Sequence, residues 1–355
     1  LFIKFMNFRL LPEWAEQDAV MLTWPHQDTD WRDNLSAVEP VYITLCKHIC
    51  QHQLVVIVAH NTALKTHISQ LLTSNEIDLA RVHFVITPCN DTWARDHGPL
   101  TCANQQDANQ LAILDYTFNG WGNKFESTLD NQINNILVKQ LAAPANQYQK
   151  IDLVLEGGGV EINEHGVLLT TSECLLNPNR NPTLSAEQIE AQLQQQLGVS
   201  SFLWVDHGYL AGDDTDSHID TLVRFAPNNT LVYVKCDDTT DEHFNALDKM
   251  QTQLQGFQTP SGHPYTLIDL PWPKAVYNSD GDRLPATYAN YLIINDAVLV
   301  PTYNDENDEQ ALAQVQRAYP EHTIIAINCL PIIHQFGSLH CITMQLPRGF
   351  LVGAA

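Results

Sequence analysis

Leu155-Glu156-Gly157-Gly158-Gly159-Val160-Glu161-Ile162 is the stretch on which the fold turns. Three glycines after the apolar Leu153–Leu155 look at first like a phosphate-cradling loop. The Gly-x-Gly-x-x-Gly spacing, the helix that should follow and any lysine are missing, and Val160-Glu161-Ile162 reads as strand. Nucleotide binding is thereby set aside. Glycines between two strand-like segments instead suit a close approach of backbone to a site, with Glu156 facing inward.

Outward from this point the chain alternates. Short runs rich in β-formers occur at Leu54–Ala59, Val82–Thr87, Leu111–Tyr116, Val167–Thr170, Thr221–Phe225, Leu231–Lys235, Tyr291–Ile294, Val298–Val300, Thr323–Ile327 and Ile342–Gln345. Helical patterns lie between them at Val38–Cys50, Ala63–Leu72, Asp130–Leu141, Ala186–Leu197, Glu242–Gln253 and Glu306–Tyr319. Ser185-Ala186-Glu187-Gln188 predicts a capping box, and Gly198 the stop of that helix. From Asp130 onward helices start every 55–65 residues or so, a spacing that an internal repeat would give and that any mixed α/β chain can also give. No Ser/Gly linker divides the 355 residues, so one domain over 1–355 is expected, with 1–10 a short N-terminal extension.

Composition narrows the partners. The chain is 44% hydrophobic and 17% charged, with 18 basic against 41 acidic residues and a net charge of −23. That field repels nucleic acid and anionic lipid and attracts small cations. No apolar run reaches the roughly 18–20 residues that span a bilayer. The opening LFIKFMNFRLL is broken by Lys4, Asn7 and Arg9 and lacks a small-residue cleavage site, so a cytoplasmic protein is expected. Eight irregularly spaced cysteines then read as reduced thiols.

Several constellations carry chemistry. His218 and Asp220, two apart in a strand-like segment, project from one face, where a carboxylate can bias an imidazole acting as acid and base. Asp213, Asp214 and Asp216 upstream fail the EF-hand pattern, which needs Gly at the sixth position and Glu at the twelfth. Trp93-Ala94-Arg95-Asp96-His97-Gly98-Pro99 sits where a loop leaves a sheet; taken alone, Asp96 is equally a ligand, a partner of Arg95 or a turn cap. Cys46, His48, Cys50 and His52 lie on two nearly opposite faces of a helix and cannot converge on one metal. Cys89, Cys102, Cys174, Cys236 and Cys329 read as inert core thiols. Cys341 differs, because it follows a Gly-containing turn and His340, where amide dipoles can favour a thiolate.

Taken together, seven segments resemble the agmatine deiminase branch of the guanidine-modifying superfamily. They are AEQDAVMLTWPHQDTDW at Ala15–Trp31, NDTWARDHGP at Asn90–Pro99, FNGWG at Phe118–Gly122, LEGGGVEINEHGVLLTTSECLLNPNRNP at Leu155–Pro182, GDDTDSHIDTLVRF at Gly212–Phe225, YANYLIIN at Tyr288–Asn295 and GSLHCIT at Gly337–Thr343. Their order is that of the family. Two mild departures, Phe336-Gly337-Ser338 for a run of glycines and Leu339 for Ile, touch only loop geometry.

The resemblance implies an α/β fold of the five-bladed propeller (pentein) type, with repeated ββαβ units around a central site. It implies Cys341 as nucleophile, His218 as general acid and base, Asp96 and Asp220 as guanidinium clamps, Glu156 as the carboxylate steadying the histidine, and Asn290 as a polar neighbour of the nucleophile. Asp214 is the candidate for a distal ammonium, and Trp24, Trp93 and Trp121 for walls along a methylene chain. No metal or organic cofactor is expected, and a homodimer is usual for such relatives. The expected reaction is hydrolysis of agmatine to N-carbamoylputrescine and ammonia, a step towards putrescine. Deimination of free or peptidyl arginine, amidino transfer, and a non-catalytic guanidinium-binding protein on the same scaffold are the alternatives.

Overall fold

The computed structural model describes residues 7–107 and 110–353. Five of the six sheets among these residues repeat one pattern: an antiparallel pair followed by a helical crossover to a parallel third strand. In the simplest case Val160–Ile162 pairs antiparallel with Val167–Thr171, and the Ala186–Leu197 helix leads to Ser201–Val205, parallel on the other side. The units around Val223–Ala226, Thr230–Val234 and Thr266–Leu270, and around Leu292–Ile294, Ala297–Thr302 and Thr323–Asn328, repeat it. Leu100–Asn104, Leu111–Thr117 and Gln147–Val154 do so with Phe8–Leu10 added at the edge. In the fifth, Thr343–Pro347 from the far end of the sequence lies antiparallel on Gln17–Thr23, which is followed in parallel by Leu54–Ala59 and Val82–Ile86. The sheet therefore joins the start of the chain to the segment that carries Cys341.

The helices form where the apolar spacing asks for them. Leu35–His52 buries Val38, Val41, Tyr42, Leu45, Cys46 and Ile49, the spacing of three and four that makes a single stripe. The expected capping box is present: Ser185 accepts from the Gln188 amide, the Gln188 side chain accepts from the Ser185 amide, and Gly198 closes the helix at φ 66°. That left-handed conformation is inexpensive for glycine, and a Cβ there would meet the Phe8 carbonyl at 2.3 Å.

Two expectations change. Thr221–Phe225 is not one strand: Ile219–Thr221 is a 3-10 turn and the strand is Val223–Ala226. His218 and Asp220 thus share a direction because a tight turn carries them, not because a pleat does. Of the expected extension 1–10, residues 1–6 lie outside the described residues, and Phe8–Leu10 forms an edge strand. All eight cysteines are free, and no helix among the described residues is long and apolar enough to cross a membrane.

Candidate active site

The three glycines of the opening stretch form a buried 3-10 turn, and Gly158 lies at the meeting point of the site. A Cβ on it would fall 2.6 Å from His218 Nδ1, 2.8 Å from Asp96 Oδ1 and 3.2 Å from Asp220 Oδ2. Three side chains from two distant segments, Asp96 from one and His218 and Asp220 from the other, converge on a spot that only a hydrogen atom can occupy. The close approach inferred from the sequence is thus real, and it brings an imidazole and two carboxylates together.

Asp96 sits on the one-turn helix Ala94–His97, all four of whose residues are buried. Its Oδ1 accepts from the Gly158 amide at 3.0 Å and its Oδ2 from Trp121 Nε1 at 3.1 Å. Trp121 reaches it from a turn held at φ 55°, between Gly120 and Gly122, both also left-handed. For a bulky residue that conformation is strained, and here it aims the indole at the carboxylate. Burial, then the charges of Asp220 and Glu156, raise the Asp96 carboxyl well above the usual range.

His218 is buried, its Nδ1 3.6 Å from Asp96 Oδ1, and neither ring nitrogen has a hydrogen-bond partner among the described residues. Burial drives its pKa down to about 4, helped by the Arg180 charge and opposed by Asp220. Asp220 is anchored on one side only. Its Oδ2 lies 2.7 Å from His340 Nδ1 and accepts from Asn290 Nδ2 at 3.1 Å, while its Oδ1 is unpartnered among the described residues. Burial works to raise this carboxyl, but the His340 hydrogen bond and charge outweigh it and hold it lower than usual.

Cys341 completes the group. Asn290 Oδ1 accepts from the amides of His340 at 2.9 Å and Cys341 at 3.3 Å, and lies 3.4 Å from the thiol sulfur. The Arg95 amide donates to the Cys341 carbonyl at 3.1 Å, which ties the Asp96 turn to the Cys341 backbone. Burial, followed by the charges of Asp220 and Asp96, pushes the thiol pKa well up. The preceding turn is fixed by Gly337, where a Cβ would fall 2.1 Å from the Trp93 ring.

Cys341, His218, Asp96, Asn290, Trp93, Trp121 and Asp214 all line one cavity of about 160 Å³. Asp30, Asp91 and Asp213 add carboxylates to its lining, and no Lys or Arg lines it among the described residues. Such a chamber is built for a cation. Asp220 stands immediately behind, reaching it past Gly158 and Asn290.

The family follows from a match to the whole of this architecture. The model of the Porphyromonas-type peptidyl-arginine deiminases covers residues 9–347. The chain belongs to that family. Within and around the Porphyromonas-type peptidyl-arginine deiminases, an agmatine deiminase of Stutzerimonas stutzeri is 30% identical over 359 residues, 96% of this chain and 95% of its own. A substrate-bound C. jejuni agmatine deiminase carrying a Cys-to-Ser substitution is 38% identical, with a TM-score of 0.88 and 97% of each chain covered. A Porphyromonas gingivalis structure, named only as a candidate arginine deiminase, is 43% identical, with a TM-score of 0.89, 97% of this chain and 100% of its own. The resemblance read from the seven segments is borne out.

Not every expected residue of this family member falls where the sequence suggested. Trp24 is fully buried away from the cavity, packed edge-on against Tyr42 and donating to Glu39 at 3.1 Å. It is core, buried in one cluster with Val38, Tyr42 and Leu45 of the Leu35–His52 helix. Glu156 makes its hydrogen bond with Arg180 Nε at 2.7 Å and lies within 4.8 Å of a His218 ring nitrogen without bonding to it. Asp214 is largely exposed, and partial loss of its water at the cavity edge, with the Asp216 charge and against Lys124, raises its carboxyl.

The charged contacts behind Asp220 gave almost no sign in the sequence. His340 Nε2 lies 2.8 Å from Glu13, which also receives Arg95 Nη1 at 3.0 Å and Arg224 Nη2 at 2.6 Å. Arg224 further binds Glu161 and the carbonyls of Ala289 and Tyr291. The one available hint was an arginine inside the apolar run Leu222-Val223-Arg224-Phe225. Glu13, in a loop, gives no hint at all.

Proposed function

We propose that this chain is an agmatine deiminase, a hydrolase that converts agmatine and water to N-carbamoylputrescine and ammonia, in putrescine formation. The observation that carries the reading is the convergence of Asp96, His218 and Cys341 on one acid-lined cavity with Asp220 at its back. Full-length relatives described as agmatine deiminases support it.

A guanidinium is flat, always charged and rich in donors with fixed directions. Asp96 and Asp220, on either side of Gly158, offer it forked carboxylate partners, and the unpartnered Asp220 Oδ1 and the unprotonated nitrogen of His218 can accept from it when it enters. Burying such a cation costs several kcal/mol unless it is paired, so both carboxylates are needed. Cys341 attacks the central carbon as the thiolate. His218 protonates the leaving nitrogen, ammonia departs, and a covalent thiouronium remains on the sulfur. Water deprotonated by His218 then releases the ureido product and the thiol. Each step uses this chain's own groups, and no metal or organic cofactor is invoked. Glu156, through its charge near His218, and Asp214, at the mouth, complete the assignment.

The single domain over 1–355 and the five-bladed propeller belong to the same proposal, supported by the five ββαβ sheets. So do the homodimer, which rests on the resemblance, and the cytoplasmic location, which is expected from the sequence. Ammonia release from agmatine, free arginine and an arginyl peptide tests the substrate. Preference for agmatine is the expected result; preference for either arginine substrate overturns it in favour of an arginine deiminase.

A further inference from the structure

Three neighbouring parallel strands, Gln17–Thr23, Leu54–Ala59 and Val82–Ile86, finish on the same side of their sheet. Just beyond their ends stand His26, His60 and Cys89. Cys89 Sγ lies 3.6 Å from His26 Nε2 and 3.9 Å from His60 Nδ1, and the donor atoms of all three lie within 4.8 Å of one another. A tetrahedral ion with a metal–sulfur bond of about 2.3 Å and metal–nitrogen bonds of about 2.0 Å holds such donors roughly 3.5 Å apart. The two imidazole rings are tilted 30° to each other with their centres 4.1 Å apart. Cys89 and His26 are buried, whereas His60 is half-buried and leaves a way in for an ion. Asp130 Oδ1 accepts from the amides of Asn90 and Asp91, immediately after Cys89.

We propose that His26, His60 and Cys89 bind one thiophilic divalent cation of the zinc class. Thiolate and imidazole donors together select such ions over magnesium or calcium. On binding, the sulfur–metal bond forms as Cys89 gives its thiol proton to solvent, with no change of oxidation state. The His60 Nδ1 lone pair, which accepts from the Cys89 amide at 3.2 Å, passes to the ion. The site would grip the base of the cavity wall. Cys89 runs directly into Asp91, whose carboxylate accepts from the indoles of Trp31 at 2.9 Å and Trp93 at 3.0 Å, and Trp93 lines the substrate cavity.

Cobalt(II) is the probe, added to full-length Cys341→Ser protein so that the proposed nucleophile cannot contribute. A thiolate-to-cobalt absorption band that saturates at a single equivalent and is displaced by zinc is the expected result. The band should vanish when Cys89→Ala is added, and the dissociation constant should rise at least about tenfold with His60→Gln. Absence of the band, or its persistence in the Cys89→Ala protein, overturns the site. His60→Gln, at a half-buried position, keeps the test decisive if Cys89→Ala does not fold: unchanged affinity there also overturns it.

Discussion

At Cys341 and His218 the resting protonation states are opposite to those the chemistry consumes. The thiol is held protonated by burial and by Asp220 and Asp96, and the imidazole stays neutral down to about pH 4. Attack needs a thiolate and departure needs an imidazolium, so the proton must pass from sulfur to His218 without net exchange with solvent. Thiol plus imidazole and thiolate plus imidazolium carry the same number of protons. As far as this pair is concerned, kcat/KM for agmatine should therefore stay level through neutrality, while the raised Asp96 carboxyl places the acid limb above the ordinary carboxylate range. Below the His218 pKa the extra proton removes its capacity to accept from sulfur, and above the thiol pKa the imidazolium is lost. A tenfold rise per pH unit through neutrality would mean that the imidazolium is not needed. Cys341→Ser should lose turnover while calorimetry still detects agmatine binding. Asp220→Asn leaves a buried guanidinium half-paired, on a scale of about 3–5 kcal/mol, and should lower kcat/KM by at least about a hundredfold. An Asp220→Asn enzyme within tenfold of the parent would remove that carboxylate from the clamp. At this scale the residue types were legible only through the family resemblance. His218 beside Asp220, or Asp96 beside Arg95, is ambiguous until the fold brings both to Gly158.

Among the elements, the Gly157–Gly159 turn has the clearest consequence. Gly158→Ala would place a methyl group against His218 and Asp96 at 2.6 and 2.8 Å, so one of them must move. Turnover should fall at least about a hundredfold, because a displacement near 1 Å costs that much in catalysis. Undiminished turnover would show that the convergence is looser than these distances require. The Ser185 cap gives the contrasting case. Ser185→Ala should cost about 1 kcal/mol and lower Tm by about 2 °C while kcat stays the same. Some elements could be read directly from the sequence: Leu54–Ala59, Asp130–Leu141 and Ala186–Leu197 have the predicted limits. Three of those that escaped share a position. Gln147–Val154, Ser201–Val205 and Thr266–Leu270 are edge strands reached by a crossover, with one side partly solvated. Their mixed polar sequences carry a weak apolar signal, and only the neighbouring strand recruits them.

Across the molecule, charge links what sequence separates. Glu13, Glu161, Arg224 and His340 come from four stretches up to 327 residues apart, and they meet behind Asp220. Such pairing has no local signature, which is why a resemblance in motifs could not supply it. Arg224→Met would leave Glu13 and Glu161 facing each other in a buried space. Urea denaturation should show a loss of about 3–5 kcal/mol, partly recovered by adding Glu161→Gln. A neutral effect would mean that packing, not ion pairing, holds this junction. The account as a whole rests on a covalent event at one sulfur. Its most direct test is mass spectrometry of protein mixed with agmatine and quenched in acid during turnover. The Cys341 peptide should carry the mass of agmatine less ammonia; an adduct on another cysteine, or turnover with Cys341 unmodified and replaceable by Ser, would contradict it.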